Sequence, residues 1–306
     1  MPNWKDLLDE VKKAGSTYDL IRRQYLGRLA EATGRNVIVY YSGWLQKVDL
    51  LNRGVGGFEL NDNDKNGFMA AIHGLDRSKG LDLILHTPGG EIAATESLVD
   101  YLHSMFEDIR AVVPQIAMSA GTMVALACNK IMMGKHSSLG PIDPQIQGIP
   151  AHGIVEEFVE AAKEIQKNPA TIPLWQPIIA KYHPTLIGEC KKAIEWSSEI
   201  VKAWLIARMF AGDPAASAKA DKVIEELGSH ALTKSHARHI SMKKARELGL
   251  NVVALEEVDS IQEAVLTVHH ACIQTLAGTN VIKLIENHKG VAFVQAFELR
   301  AVAQQA

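Results

Sequence analysis

Between residues 81 and 145, two short apolar runs each end on a cluster of small residues and pass at once into a helical pattern. The first, Leu83-Ile84-Leu85, stops at Thr87-Pro88-Gly89-Gly90; the second, 111–117, stops at Met118-Ser119-Ala120-Gly121. A run of four to eight apolar residues closed by glycine and followed by a 10–15-residue helical pattern is the mark of a βα unit. Two such units in succession predict parallel pairing and right-handed crossovers, hence an α/β fold. A third loop, Ser137-Ser138-Leu139-Gly140-Pro141-Ile142-Asp143-Pro144, is bracketed by proline and closes the stretch.

The small residues at these junctions have chemical uses. A strand that ends in Pro-Gly-Gly frees its backbone from side-chain bulk, so its N–H groups can approach a ligand. Amides near a helix N-terminus suit an anion, and an oxyanion is what acyl transfer generates. The same glycine pair equally reads as an ordinary turn. Ser119 stands where a strand becomes a helix. There it is either an N-cap or a nucleophile held in a strand–Ser–helix elbow, although the G-x-S-x-G spelling of hydrolases is absent. Taken with the glycine pair one unit upstream, the nucleophile reading is favoured. The N–H groups of Gly90 and Ala120 are then the expected oxyanion donors.

Pro-Gly-Gly, Met-Ser-Ala-Gly and the Ser-Ser-Leu-Gly loop together resemble the ClpP and signal peptide peptidase A superfamily of serine peptidases. Within it the chain is most similar to the serine dehydrogenase proteinase family. His-Thr-Pro-Gly-Gly at 86–90, Leu-Gly-Pro-Ile-Asp-Pro-Gln at 139–145, Lys-Tyr-His-Pro-Thr-Leu-Ile-Gly-Glu-Cys at 181–190 and Ala-Arg-Glu-Leu-Gly-Leu at 245–250 extend the resemblance. It implies a ClpP/crotonase-like spiral of βαβ units with a large helical insertion. It further implies a homo-oligomer that acts on peptide or protein substrates. The expected division is a helical arm at 1–35, a catalytic core at 36–148, the insertion at 149–230 and a part completing the core at 231–306.

A serine nucleophile needs a base, and His or Lys can serve once tuned. ClpP takes its histidine from the loop equivalent to 138–144, where this chain has no histidine and carries Asp143. The Ser, Asp, His order of the family makes Asp143 the orienting carboxylate and His236 the base; Asp before proline also reads as a turn residue. His152, His183 and His239 compete with His236. A Ser–Lys dyad of the signal peptide peptidase type would use Lys135, Lys163 or Lys181. A crotonase-type acyl-CoA enzyme, which has no use for Ser119, and a non-catalytic scaffold are the readings from other classes.

The remaining residues bound the possibilities. A formal net charge of −3 lacks the basic footprint of a nucleic-acid surface. Cys128, Cys190 and Cys272 lie far apart, without C-x-x-C spacing, which fits buried thiols in a reducing compartment. No leader or run of about 18 apolar residues is present, so a cytoplasmic chain without a membrane anchor is expected. No H-E-x-x-H, G-x-G-x-x-G or Walker A signature points to a metal or cofactor, and no pyridoxal lysine site is evident. The pattern also predicts helix at 4–32, strand at 36–42 and an Asn/Asp helix cap at 61–64. Helices follow at 153–166, 178–181, 185–211, 215–228, 240–248 and 258–277, with strands at 252–255 and 290–294 and a frayed 301–306. Trp175, Trp196 and Trp204 read as core.

Overall fold

The computed structural model describes residues 18–146, 148–228 and 235–298. The expected helix over 4–17 and the frayed 301–306 lie outside the described residues.

The centre is a seven-stranded sheet. Its strands are β1 (Asn36–Ser42), β2 (Leu81–His86), β3 (Ile109–Val113), β5 (Lys130–Met133), β10 (Val252–Ala254), β11 (Val281–Asn287) and β12 (Ala292–Ala296), in the order β10-β5-β3-β2-β1-β11-β12. The first five in that order run parallel, and β11 and β12 pair antiparallel at one end. The apolar runs are continuous because both faces of the sheet are covered. Successive side chains point to opposite faces. Thus Ile38, Tyr40, Leu83, Leu85, Ala111 and Ile131 enter one core, while Val37, Val39, Tyr41, Ile84, Val112 and Met132 enter the other. Each fully buried Ile, Leu or Val contributes about 1.5–3 kcal/mol over exposure.

The second core is closed by α1 (Tyr18–Thr33) and the C-terminal α11 (Asp259–Gly278), through Ile21, Tyr25, Leu26 and Leu29 packed with Val265, Val268, Cys272 and Leu276. Residues 18–33, read from sequence as an arm, are therefore packed onto the sheet. The first core is closed by α3 (Asn63–Ile72), α4 (Ile92–Met105), α5 (Ala120–Leu126), and residues of α8 (Leu186–Ala207) and α9 (Ala216–Gly228). With its strand–turn–helix repeats, the molecule has the α/β spiral expected from the resemblance.

A smaller sheet sits at the strand ends. It comprises β4 (Ile116–Ala117), β6 (Ser138–Leu139) and β9 (Ile240–Ser241), in the order β4-β6-β9. Two isolated bridges continue it, Thr87 with Ala117 and Leu60 with Gly90. A two-strand ribbon, β7 (Gln145–Ile146) with β8 (Ile149–Pro150), then leads into α6 (Ala151–Lys167) and α7 (Ile172–Ile179). Among the described residues no helix is long and apolar enough to cross a membrane.

Four sequence expectations change. Strand β11 was not anticipated, because Lys283, Glu286 and Asn287 break its apolar run. The Asn/Asp cluster does not act as a simple cap: Asp64 is fully buried, and Asp62 at the cap makes no side-chain cap bond. The helix expected at 178–181 lies earlier, at Ile172–Ile179, where Pro173 falls in the first turn. The helix expected over 240–248 begins after β9, at α10 (Met242–Glu247), capped by Ser241 Oγ on the Lys244 N–H.

Candidate active site

Ser119 has φ 50° and ψ −120°, and it is the only non-glycine with positive φ among the described residues. Backbone of this kind costs of order 1–3 kcal/mol in an L-residue and persists only where its surroundings impose it. Here the imposition is explicit. Before the turn, the Thr87 N–H donates to Ile116 O (3.3 Å) and the Met118 N–H to Thr87 O (3.0 Å). After it, Gly121 N–H donates to Met118 O (2.7 Å), and Met123 N–H to Ser119 O (3.0 Å) starts the helix. Thr122 Oγ1 donates to Ala117 O (2.8 Å) and accepts from the Gly140 N–H (2.8 Å), fastening the turn to the third loop. The side chain at position 119 is thus displayed at the junction between β4 and α5.

The glycine loop is fitted against this turn. Gly89 has φ 104°, and a Cβ on it would lie 2.6 Å from Ser119 Cβ. A Cβ on Gly90 would overlap the backbone of Leu60. The bonds around Gly90 are made by its neighbours: Leu60 N–H donates to Gly89 O (2.7 Å) and Glu91 N–H to Leu60 O (2.9 Å). In a parallel bridge of this form the bracketed residue turns its own N–H away from the partner strand. The Gly90 amide therefore faces away from Leu60.

A cavity of about 710 Å³ opens over the junction, lined among others by Gly89, Gly90, Ile92, Ser119, Met123, Ile142, Asp143 and His236. A second of about 620 Å³ shares Pro88, Gln145 and His236 with it and continues past Met118 and Trp44. His236 and Asp143, 93 positions apart, meet through a 2.9 Å hydrogen bond between Nδ1 and Oδ1. The Asp143 side chain is fully buried and that of His236 is 22% exposed. A carboxylate accepting this bond selects the tautomer with the proton on Nδ1 and the lone pair on Nε2. Asp143 Oδ2 has no hydrogen-bond partner among the described residues. None joins the Ser119 hydroxyl to the His236 ring.

The competing bases lie elsewhere. Lys163 is 67% exposed and faces Glu160, and Lys135 and Lys181 are also exposed; none of the three lines the cavity. His183 is exposed and bonds Thr185, and His152 is half-buried near the start of α6. His239 lines only the second cavity. Two features escaped the sequence. Trp196, read as core, is 38% exposed, lines the cavity and donates its Nε1–H to Glu96 (3.1 Å). Leu60 clamps Gly90 from the far side of a loop that carries no motif. Trp204, by contrast, is buried.

Below the site, His86 is fully buried on β2, stacked on Tyr41 (5.3 Å) and tilted against Trp44 (4.5 Å). Burial pushes its imidazole down to about 3, so it is neutral at ordinary pH. His269, which meets the Tyr41 hydroxyl at 3.1 Å, is lowered chiefly by burial and further by His86.

Residues 15–285 match the family described as ClpP-like SDH-type serine proteinase. Two uncharacterized proteins of Methanocaldococcus jannaschii are 33% and 29% identical over 189 residues, which is 62% of this chain in each case. The matches span 59% and 57% of those relatives, less than two thirds of their length. Among solved structures, a membrane-bound stomatin-specific protease is similar at 15% identity and a TM-score of 0.42, covering 67% of this chain and 79% of its own. With the family match extending over most of its length, this chain belongs to the ClpP-like SDH-type serine proteinases.

Proposed function

We propose that the protein is a serine endopeptidase working through an acyl-enzyme on Ser119. The observation that carries the reading is the strained Ser119 turn, opening into one cavity with Gly90 and the His236–Asp143 pair. Ser119 Oγ attacks the peptide carbonyl while His236 Nε2 takes its proton. Asp143 holds the ring in the required tautomer and stabilises the imidazolium. Negative charge collects on the carbonyl oxygen, where the N–H groups of Gly90 and Ala120 receive it. His236 then returns the proton to the leaving amine, the C–N bond breaks, and an ester to Ser119 remains. Water, deprotonated by His236, hydrolyses that ester and restores the serine. The continuation of the cleft on both sides of His236 suits an extended chain rather than a terminus, which favours internal cleavage of a peptide or protein.

The test is labelling by a fluorophosphonate serine-hydrolase probe. The wild type and Lys163→Ala should label, whereas Ser119→Ala and His236→Ala should lose labelling by about three orders of magnitude or more. Labelling that survives Ser119→Ala in folded protein would rule out this nucleophile. Labelling that survives His236→Ala would move the base elsewhere.

A further inference from the structure

We infer that the buried Asp64–Lys283 pair, 219 positions apart in the chain, is a positioning device for the Gly90 amide. The inference rests on the proposed role of Gly90 as an oxyanion donor. Both side chains are fully buried, and Lys283 Nζ donates to both Asp64 oxygens at 2.9 Å. Removing two charges from water is costly, and a Coulomb attraction between them rarely more than offsets it. A buried pair of this kind therefore calls for a use beyond stability.

The use is visible in what else the pair holds. The third bond of Lys283 Nζ goes to the backbone carbonyl of Glu59 (2.7 Å). Asp64 Oδ2 accepts from the backbone N–H of Asn61 (3.1 Å) and from the Tyr40 hydroxyl (2.8 Å). The two charged groups thus grip the chain one residue before and one residue after Leu60. Leu60 is the residue whose N–H and C=O bind Gly89 O and the Glu91 N–H, on either side of Gly90. The path is continuous: β11 and α3 fix Glu59 and Asn61, these fix Leu60, and Leu60 fixes the plane of the peptide that presents the Gly90 N–H.

Apart from this pair, residues 53–62 are held by the buried side chains of Phe58 and Leu60 and by the bridge from Leu60 to Gly90. They form no regular element beyond a single bridge and include Gly54, Gly56 and Gly57. Side chains locked into a strand and a helix can impose on such a segment the tolerance of a few tenths of an ångström that an oxyanion donor needs. Asp64 and Lys283 touch neither cavity, so they act through the Leu60 backbone and not on substrate.

The experiment compares the wild-type chain with Asp64→Asn/Lys283→Met, which removes both charges at similar volume, and with Tyr40→Phe, which loosens the network without orphaning a charge. Glu286→Gln is the control, since it alters a buried charge on the same strand but on its opposite face. One arm measures amide hydrogen exchange of the Leu60 and Glu91 N–H groups in a Ser119→Ala background. The other measures ester turnover. In folded double variant, exchange at these two amides should rise about tenfold or more, with Tyr40→Phe intermediate and Glu286→Gln unchanged there. Turnover should lose about 100-fold in kcat with KM within about twofold. Unchanged exchange at Leu60 and Glu91 in folded double variant or Tyr40→Phe would overturn the inference, as would kcat within about twofold of an active wild type. If the wild type neither turns over ester nor labels at Ser119, the peptidase reading fails, while the exchange arm still decides the positioning.

Discussion

Strands β2 and β11 are both interior strands of the sheet and both buried, yet they are written differently. Strand β2 (LDLILH) is mostly aliphatic, with Asp82 and His86 as its polar residues; β11 (VIKLIEN) carries a lysine, a glutamate and an asparagine with no exposed surface. Every one of the three is matched. Lys283 meets Asp64, Glu286 receives both Arg22 and Arg23, and Asn287 Nδ2 donates to Ala71 O (2.6 Å). The exception lies on β2, where neither ring nitrogen of His86 has a hydrogen-bond partner among the described residues. The comparison teaches that a strand is kept inside by satisfied polar groups as well as by apolar ones, provided the partners come from other elements. Burial without partners is tolerated for a group that can stay neutral.

The largest effect should follow from breaking a pair on β11. Glu286→Ala leaves the Arg22 guanidinium buried with much of its charge unanswered and should cost about 3–5 kcal/mol in urea unfolding. Arg22→Met/Glu286→Leu, which removes the charges together, should cost clearly less. Equal losses in the two variants would mean that satisfied pairing is not what holds this strand.

His86 gives the intermediate effect and the opposite dependence. Its ordinary value is 6.5, and in the folded chain it falls to about 3. Between those limits the unfolded chain binds the extra proton, so stability rises with pH. The contribution is complete above about 6.5 and is lost as pH falls towards 3, at up to about 1.4 kcal/mol per pH unit for one proton. His269 adds to the slope in the same direction. His86→Phe keeps a ring against Tyr41 and Trp44 and should flatten the stability profile between pH 6.5 and 4.5. A profile as steep as that of the wild type would show that His86 is not the group responsible.

The smallest effect concerns backbone rather than side chain, at the turn that faces the end of β2. Ser119→Gly should be more stable than Ser119→Ala by about 1 kcal/mol, because glycine adopts positive φ without strain while alanine keeps it. Calorimetry of the two inactive variants decides this, and equal melting temperatures would deny that the turn is strained.

Much of the chain could be read before any coordinates. Apolar runs such as Val37-Ile38-Val39-Tyr40-Tyr41 and Leu83-Ile84-Leu85 announce buried strands, because β-branched and aliphatic residues in a parallel sheet need no alternation. Glycine at 89 and 90 is dictated by contacts too close for a Cβ, and a small residue cluster around Ser119 marks the turn for a related reason. These signals are local: a few neighbouring residues carry them. Strand β11 was lost because a polar residue in a window of seven is evidence against burial until its partner is known, and the partners of Lys283 and Glu286 lie more than 200 positions away. The same holds for Asp64, which reads as a helix cap beside Asn61-Asp62-Asn63 and becomes a buried anion only when Lys283 arrives.

What the sequence determined by itself is therefore the alphabet of the fold: its βα units, the glycine pair, the serine between small residues, and the membership of a family that these motifs announce. Tertiary structure alone decided the order of the strands, the meeting of His236 with Asp143, the exposure of Trp196 at the cavity, and the clamp that Leu60 places on Gly90. The physical reason is one of range. Backbone propensity and hydrophobic period act over a few residues and are written into each segment. Pairing of charges and closing of cavities depend on which segments end up side by side, and that is settled only when the whole core is buried.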